Sequence, residues 1–322
     1  MIHIPVLTKE VIRYLDPKTN ENFIDCTVGE AGHAMAILGK NGPGGKVLGI
    51  DWDLQQIKNS ELLMAGSRGR LILINDSYAN LQEIVEKINF KPVNGILLDL
   101  GMSSEQLEGP ASGYPGRGFT FLKDEPLDMR YAHEIRNSNI EIRNLTAEEI
   151  VNKWPEKEIE KILREYGEEK FARKIAKEIV KKRKAEKIKS TFQLVQVIKE
   201  AMSAKFQSRW QSHRGSSTKS GHGKIHCATK TFQALRIAVN SELENLKKVL
   251  PQAVSILSSE GRLVIISFHS LEDRIVKNFF REKSKEGAVK LLFKKPVTAE
   301  ADELNKNPRS RSAKLRAVTK IL

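Results

Sequence analysis

The sequence predicts an α/β fold, a largely parallel sheet with helices on both faces, interrupted by an inserted all-helical domain. Three observations carry this. Short runs that are apolar throughout recur in the first third, with helical stretches between them, as expected of parallel strands buried on both faces. From about Leu127 to Met202 no strand pattern occurs, whereas apolar residues recur at helical spacing. Strand-like sequence returns after about residue 225.

Strands are expected at Asn22–Cys26, Lys46–Ile50, Leu71–Ile74, Gly95–Leu100 and Gly261–Phe268, with Val289–Phe293 and Leu315–Ile321 pairing antiparallel at the end. After the turn Thr27–His33, Ala34–Leu38 starts a helix, and Leu81, Ile84, Val85 and Ile88 mark another. Gly109–Gly118 is a loop by its Gly, Pro and Ser content. Beyond it, Phe171, Ile175 and Ile179 form one stripe, with Ala172, Ala176 and Val180 beside it. Thr146 with Glu149 has the form of a capping box, Ser190–Thr191 starts a helix over Phe192–Ala201, and Thr229–Leu246 is a further helix. The expected domains are 1–108 with 220–322, which form the sheet, and 109–219, the basic helical insertion.

No run approaches the ~20 apolar residues that span a bilayer, and Met1–Tyr14 has no signal-peptide core, so a cytoplasmic protein is expected. Cys26 and Cys227 belong to no C-x-x-C pair and the histidines show no ligand spacing, so no metal site is expected. The net charge of +14 suggests a polyanionic partner, although charge alone also serves solubility. Its placement favours a partner. Lys170–Lys189 holds ten lysines and arginines against two acids, Glu178 and Glu186. Arg209–Lys230 and Asn305–Leu322 hold several bases and no acid.

The loop Asp25–His33 (DCTVGEAGH) lies between a strand and a helix, where glycines let a ligand approach the backbone. Asp51 ends the second strand, where an acid can accept both hydroxyls of a nucleoside ribose. A dinucleotide site would favour a strict G-x-G-x-x-G, which is absent. S-adenosyl-L-methionine needs no pyrophosphate cradle, and Asn75–Tyr78 supplies polar groups and a ring suited to adenine. Asp99 ends the fourth strand, where side chains face the ligand crevice of a doubly wound sheet.

Long ordered motifs then carry a resemblance. Gly95–Gln106 (GILLDLGMSSEQ), Arg117–Phe121 (RGFTF), Pro126–Arg130 (PLDMR), Tyr166–Glu169 (YGEE), Phe232–Leu243 (FQALRIAVNSEL), Ser267–Arg274 (SFHSLEDR) and Asn307–Arg316 (NPRSRSAKLR) resemble the bacterial ribosomal RNA small-subunit methyltransferase H family, also called MraW. The match runs from His3 to Arg316. It implies a Rossmann-like methyltransferase sheet and N4-methylation of a cytidine in the decoding region of 16S rRNA, with S-adenosyl-L-methionine as donor. Carried over by motif, the cofactor contacts are Ala31, Gly32, His33, Asp51, Tyr78, Asp99 and Gln106. Ala31 stands where the family usually has glycine, and its methyl is accommodated if φ there is not positive. Cys227 stands where proline is usual. The implied partner is 16S rRNA, within the small ribosomal subunit; a homodimer is allowed for.

Chemistry narrows the catalytic candidates. The lone pair of cytosine N4 is delocalised into the ring, so an acceptor for an N4 proton would help it attack. Asp99 is the first candidate, with Ser103 or Ser104 behind it. His269 either lines the base pocket or packs against Glu272 or Asp273. Phe119, Phe121 and Tyr131 either stack on bases or pack a domain junction, and Arg236 and Arg274 either meet RNA or form salt bridges. The competing classes are a nicotinamide-dependent oxidoreductase, a non-catalytic RNA-binding factor and, among methyltransferases, a DNA amino-methyltransferase.

Overall fold

The computed structural model describes residues 5–63, 66, 67, 69–103, 106, 116–132, 145–202 and 226–321. The chain divides into two compact units, residues 1–103, 131–142 and 243–322 in one, and 104–130 and 143–242 in the other.

The first unit is built on a seven-stranded sheet. Its strands are β1 (Phe23–Asp25), β2 (Val47–Asp51), β3 (Leu71–Asn75), β4 (Gly95–Asp99), β5 (Arg262–Ser267), β6 (Val289–Leu291) and β7 (Lys314–Lys320). They lie in the order β3-β2-β1-β4-β5-β7-β6. The first five pair in parallel, and β7 runs antiparallel between β5 and β6. All seven expected strands form, within two residues of the expected bounds: β1, β4, β5 and β6 are shorter, β2 and β7 are shifted by one residue, and β3 is one residue longer.

Helices cover both faces. On one, α1 (Thr8–Leu15), α2 (Gly32–Leu38) and α3 (Leu54–Leu63) pack Val11, Leu15, Ala34, Ile37 and Ile57 onto Phe23, Val47, Leu97 and Val264. On the other, α4 (Leu81–Lys87), α10 (Glu242–Ile256) and α11 (Ser270–Lys285) pack Leu81, Val85, Val249, Leu250, Val276 and Phe280 onto Ile24, Leu48, Ile50, Ile96 and Leu98. Strand alternation sends successive residues to opposite layers, so a strand apolar throughout satisfies both. Burying one such leucine or isoleucine contributes about 2 kcal/mol.

The second unit is helical: α5 (Ala147–Lys153), α6 (Glu156–Glu165), α7 (Ala172–Ala185), α8 (Thr191–Ala201) and α9 (Thr229–Asn240). Among its described residues no strand occurs, only an isolated bridge between Pro126 and Ser190. α6 packs on α7, α7 on α8, and α9 on both α5 and α6. The α7 stripe is as read, with Ala172, Ile175, Ala176 and Ile179 buried. Ser190 caps α8 in a full capping box with Gln193. At Thr146 half of the expected box forms: its hydroxyl accepts the Glu149 N–H at 3.1 Å, while the Glu149 carboxylate goes to Lys153.

One expected helix is two. Thr229–Leu246 breaks at Ser241, whose φ of 50° and ψ of 37° are left-handed, and whose N–H closes α9 on the Ile237 carbonyl. The apolar periodicity runs on across the break, which hides it in the sequence. A short helix α12 (Ala301–Lys306) and a 3₁₀ turn at Pro308–Ser312 precede β7.

Candidate cofactor and active site

The sheet order reverses direction between β1 and β4, the place where ligands bind at the carboxyl ends of strands in open α/β sheets. Asp25, Asp51 and Asp99 are the last residues of β1, β2 and β4. Asp25 is level with Gly49 and Leu97, and Asp51 and Asp99 each lie two residues further along. Alternation therefore turns all three carboxylates to one face, that covered by α1 and α2.

The loop after β1 is fixed from several sides. The Val28 N–H bonds to the Ile50 carbonyl at 2.9 Å, and the Ala31 N–H to the Val28 carbonyl at 2.7 Å. Asp51 accepts the Gly29 N–H at 2.9 Å and the Asp53 N–H at 2.8 Å, while Ser60 donates to the Gly29 carbonyl at 2.6 Å. Asn75 holds the turn after β2 by donating to the carbonyls of Asp51 and Trp52, both at 3.0 Å. Gly29 needs its glycine, with φ at +49°, and at Gly32 an added Cβ would come within 2.8 Å of Pro5. Ala31 also lies at positive φ, +59°, as the buried N-cap of α2. The condition under which its methyl was expected to fit therefore does not hold, and the loop carries the strain of an L-residue in the left-handed region.

His33, in the first turn of α2, brings its Nε2 to 3.4 Å from Asp99 Oδ2. The contact is an ion pair rather than a hydrogen bond. Both His33 ring nitrogens, Asp25 Oδ2 and Asp99 Oδ1 are buried without a hydrogen-bond partner among the described residues. Burial works against a charge on His33, yet Asp99, with Asp25 and Glu303 behind it, outweighs it and raises the pKa. Desolvation lifts Asp25 to about 6, against the pull of His33 and the Thr27 amide. Desolvation also lifts Asp51 to about 7, against its bonds to the Asp53 and Gly29 amides. Such unpartnered, desolvated groups gathered at a switch point mark a ligand site.

The arrangement suits a nucleoside ligand with a cationic end. Both Asp51 oxygens hold one amide each and keep lone pairs for a vicinal diol. Asp25 and Asp99 offer unpartnered oxygens to a cation. S-adenosyl-L-methionine has both features, so the residues present fit it.

The other expected residues divide. Tyr78 opens a 3₁₀ turn whose cap, Ser77, accepts the Ala79 N–H, and its ring packs against the apolar layer on the opposite face. Ser103 accepts from the Gln56 side chain at 3.2 Å. Gln106 is half-buried and belongs to the second unit. Ser104, Arg209, Arg214, Lys219 and Lys224 lie outside the described residues. His269 takes the packed alternative: it caps α11, its Nδ1 accepting the Glu272 N–H at 3.4 Å, with Nε2 3.2 Å from Glu272 Oε1. Phe121 stacks on His226 with centroids 4.4 Å apart and meets Phe232 edge-on. Arg236 makes a two-pronged ion pair with Glu242 at 2.8 and 2.9 Å. Of the basic run on α7, Lys181 pairs with Glu178 and Arg183 donates to the Val151 carbonyl, while Lys182 and Lys184 are exposed.

Asp25 and Thr27 were not singled out from the sequence. Thr27 ties the loop to β4, its hydroxyl accepting the Asp99 N–H at 2.7 Å. The signal for Asp25 was present, an acid closing an apolar run as Asp51 and Asp99 do.

The sequence model of the MraW methylase family matches residues 1–321. The chain belongs to this family. Curated relatives agree along the whole length of this MraW methylase. A protein of Thermotoga neapolitana is 43% identical over 317 residues, covering 98% of this chain and 95% of its own length. One of Clostridium botulinum is 41% identical over 334 residues, covering 99% of both. One of Persephonella marina is 39% identical over 319 residues, again covering 99% of both. Each of the three is named ribosomal RNA small subunit methyltransferase H. Among solved structures, an rRNA methylase from Streptococcus thermophilus aligns with 100% of this chain and 99% of its own at 10% identity, with a TM-score of 0.42. No helix of the described residues is long and apolar enough to cross a membrane.

Proposed function

We propose that this chain transfers the methyl group of S-adenosyl-L-methionine to the exocyclic N4 of a cytidine in the decoding region of 16S rRNA. Its relatives' shared name supports rRNA of the small subunit as substrate, and the motif resemblance supports the N4 position. The observation that carries the reading is the convergence of Asp25, Asp51, Asp99 and His33 at the β1/β4 switch point.

The donor supplies a methyl already activated on a sulfonium, so the protein has to align and to accept a proton. Asp51 holds the ribose hydroxyls, with its carboxylate pinned by the Gly29 and Asp53 amides. Gly32 and the α2 N-terminus line the cofactor with backbone, and Ala31 and His33 flank them; the motif resemblance supports Tyr78, on the turn after β3, as a further contact. Asp25 neutralises positive charge at the floor of the crevice. Asp99 accepts the N4 proton, and the Asp99–His33 contact keeps that carboxylate oriented. Ser103, held by Gln56, stands behind it.

The target base must leave its stack to reach a crevice, as base-modifying enzymes require. Helix α7 grips phosphates and 2′-hydroxyls through Lys182, Lys184 and their neighbours rather than reading sequence. The partner is 16S rRNA within the small ribosomal subunit, the address is cytoplasmic, and a homodimer is compatible with this chemistry.

The deciding experiment mixes the protein with labelled S-adenosyl-L-methionine and small subunits from a strain lacking this gene, followed by nucleoside mass spectrometry. N4-methylcytidine is the expected product. Donor binding without transfer to subunits would move the substrate to another nucleic acid, and a preference for duplex DNA would favour the DNA amino-methyltransferase.

A further inference from the structure

The motif Asn307–Arg316 has no part in the cofactor site, yet the topology carries it to the same edge of the sheet. β7 is antiparallel to β5, with Lys314 level with Ser267 and Leu315 level with Ile266, which in turn is level with Asp99. The turn leading into β7 therefore lies at the carboxyl ends of the parallel strands. Adjacent strands are about 4.8 Å apart, so the start of β7 is roughly 10 Å from the end of β4.

This turn is locked in place. The Ser310 hydroxyl donates to the Asn307 carbonyl at 2.7 Å, and the Ser310 N–H does so at 3.0 Å. The Ala313 N–H closes on the Ser310 carbonyl at 3.0 Å, and Ser310 is fully buried. Pro308 restricts the first position of the turn. On either side of the buried serine stand Arg309, half-buried, and Arg311, exposed. Arg311 and Lys306 have no ion-pair partner among the described residues. No acid follows Glu303 in the sequence, and Glu303 itself accepts the Leu7 N–H at 2.7 Å. Asp273 is committed to Arg316 at 2.6 Å and to Lys314 at 3.7 Å. A solubilising charge run has no need of a buried serine lock. A rigid turn that presents guanidinium groups suits phosphate, which arginine meets through two parallel hydrogen bonds at little cost in ordering.

We propose that Lys306, Arg309 and Arg311 form a phosphate rim at the carboxyl edge of the sheet, which holds the backbone of the RNA strand that carries the target nucleotide. The proposal rests on RNA being the substrate, and it assigns a contact on the sheet unit itself, separate from the basic helices.

The test compares wild type with Arg311→Ala, Arg311→Lys and the double variant Arg309→Ala/Arg311→Ala. Each is measured for kcat and KM on unmethylated small subunits, for affinity to naked 16S rRNA as salt is varied, and for S-adenosyl-L-methionine binding by calorimetry. Lys91→Ala, in the segment before β4 at the opposite edge, is the control. The expected result is a rise in KM of about tenfold for the double variant, with a log–log salt slope smaller by about 1 for each phosphate no longer neutralised. Donor affinity and kcat stay at wild-type values, as does the Tm of Arg311→Ala; Arg311→Lys keeps most of the salt slope, and Lys91→Ala matches wild type. An unchanged KM and slope overturns the rim, as does an equal loss in Lys91→Ala. A fall in Tm or donor affinity with the slope unchanged assigns the arginines to structure and overturns it too. Wild type that methylates no subunit defeats the functional reading instead, and the RNA-binding slopes still decide the rim.

Discussion

His33 Nε2 stands 3.4 Å from Asp99 Oδ2, both side chains nearly buried, and no hydrogen bond satisfies either ring nitrogen among the described residues. A pair of this kind joins the helix after β1 to the end of β4, across the point where the sheet reverses. Asp99 Oδ1 has no hydrogen-bond partner among the described residues, and that oxygen is the proton acceptor proposed above. Asp99→Ala should lower kcat by two orders of magnitude or more at saturating donor, the usual worth of general-base assistance. Full turnover in a single-turnover assay would remove Asp99 from the role.

Asp51 has a different task and a different signature. Asp51→Asn keeps the shape but loses the ionic character of two hydrogen bonds to a diol, about 3 kcal/mol in all, or roughly 100-fold in the Kd of S-adenosyl-L-methionine. Calorimetry on the free protein measures this without turnover. An affinity within threefold of wild type would place the ribose elsewhere.

Protonation should set donor binding and the stability of the donor-free protein against each other. Asp25 and Asp51 titrate near 6 and 7 in the fold, above the ordinary carboxylate range, because they are desolvated. Between about pH 4 and 7 the folded chain then holds protons that the unfolded chain has released, so stability rises as pH falls through that window. The raised pKa of His33 acts in the same direction, its contribution being complete below 6.5 and lost as pH rises through the folded value. Donor binding needs the carboxylates ionised and should weaken over the same descent. Urea unfolding of wild type against Asp51→Asn isolates one group: the wild type should gain on the variant as pH drops from 7 to 4. Parallel curves would mean that Asp51 is not perturbed.

Ala31 offers a test of backbone strain. Ala31→Gly removes the left-handed penalty of about 1–2 kcal/mol and gives back about 0.4–1 kcal/mol through the freer unfolded chain, so its stability should equal or exceed wild type. Ala31→Val adds a branched side chain at positive φ in a fully buried position and should cost more than about 2 kcal/mol. If the two variants unfold at the same denaturant concentration, the loop is not strained.

Arg236 and Glu242 form a well-enclosed ion pair, and they separate structure from recognition in α9. Arg236→Ala removes the two-pronged partner of a buried carboxylate and should destabilise by about 3–5 kcal/mol, whereas Arg236→Met with Glu242→Leu should recover most of that. Were Arg236 an RNA contact instead, the single variant would keep its Tm and lose affinity for subunits.

The strands were legible because nothing competes with their pattern. GILLD and RLVIIS are short, apolar on both faces and separated by helical stretches, a combination that points to a sheet covered by helices on each side. The acids Asp51 and Asp99 were legible for the same reason, as sole charges closing apolar stretches. Asp25 carried the same signal, an acid closing an apolar run, but its alignment with the other two comes from the register with Gly49 and Leu97, which the sequence does not state. The break at Ser241 escaped because it depends on one residue's φ, which a serine does not advertise. Ala31 shows the converse: the sequence flagged a missing glycine, but only the backbone tells that glycine's conformation is still adopted there.

The side of the sheet opposite the three acids is entirely apolar at β1, β2 and β4, through Ile24, Leu48, Ile50, Ile96 and Leu98. Sliding any of these strands by one residue would swing its terminal carboxylate into that dry layer and bring a leucine or isoleucine out to the crevice. A lone carboxylate in such surroundings costs several kcal/mol, more than the slip could return in rearranged backbone bonds. The residues that make the site are thus also proofreaders of strand pairing, rejecting mis-registered sheets while the chain is still folding, and a variant with all three neutralised should fold less faithfully even where its native state is no weaker.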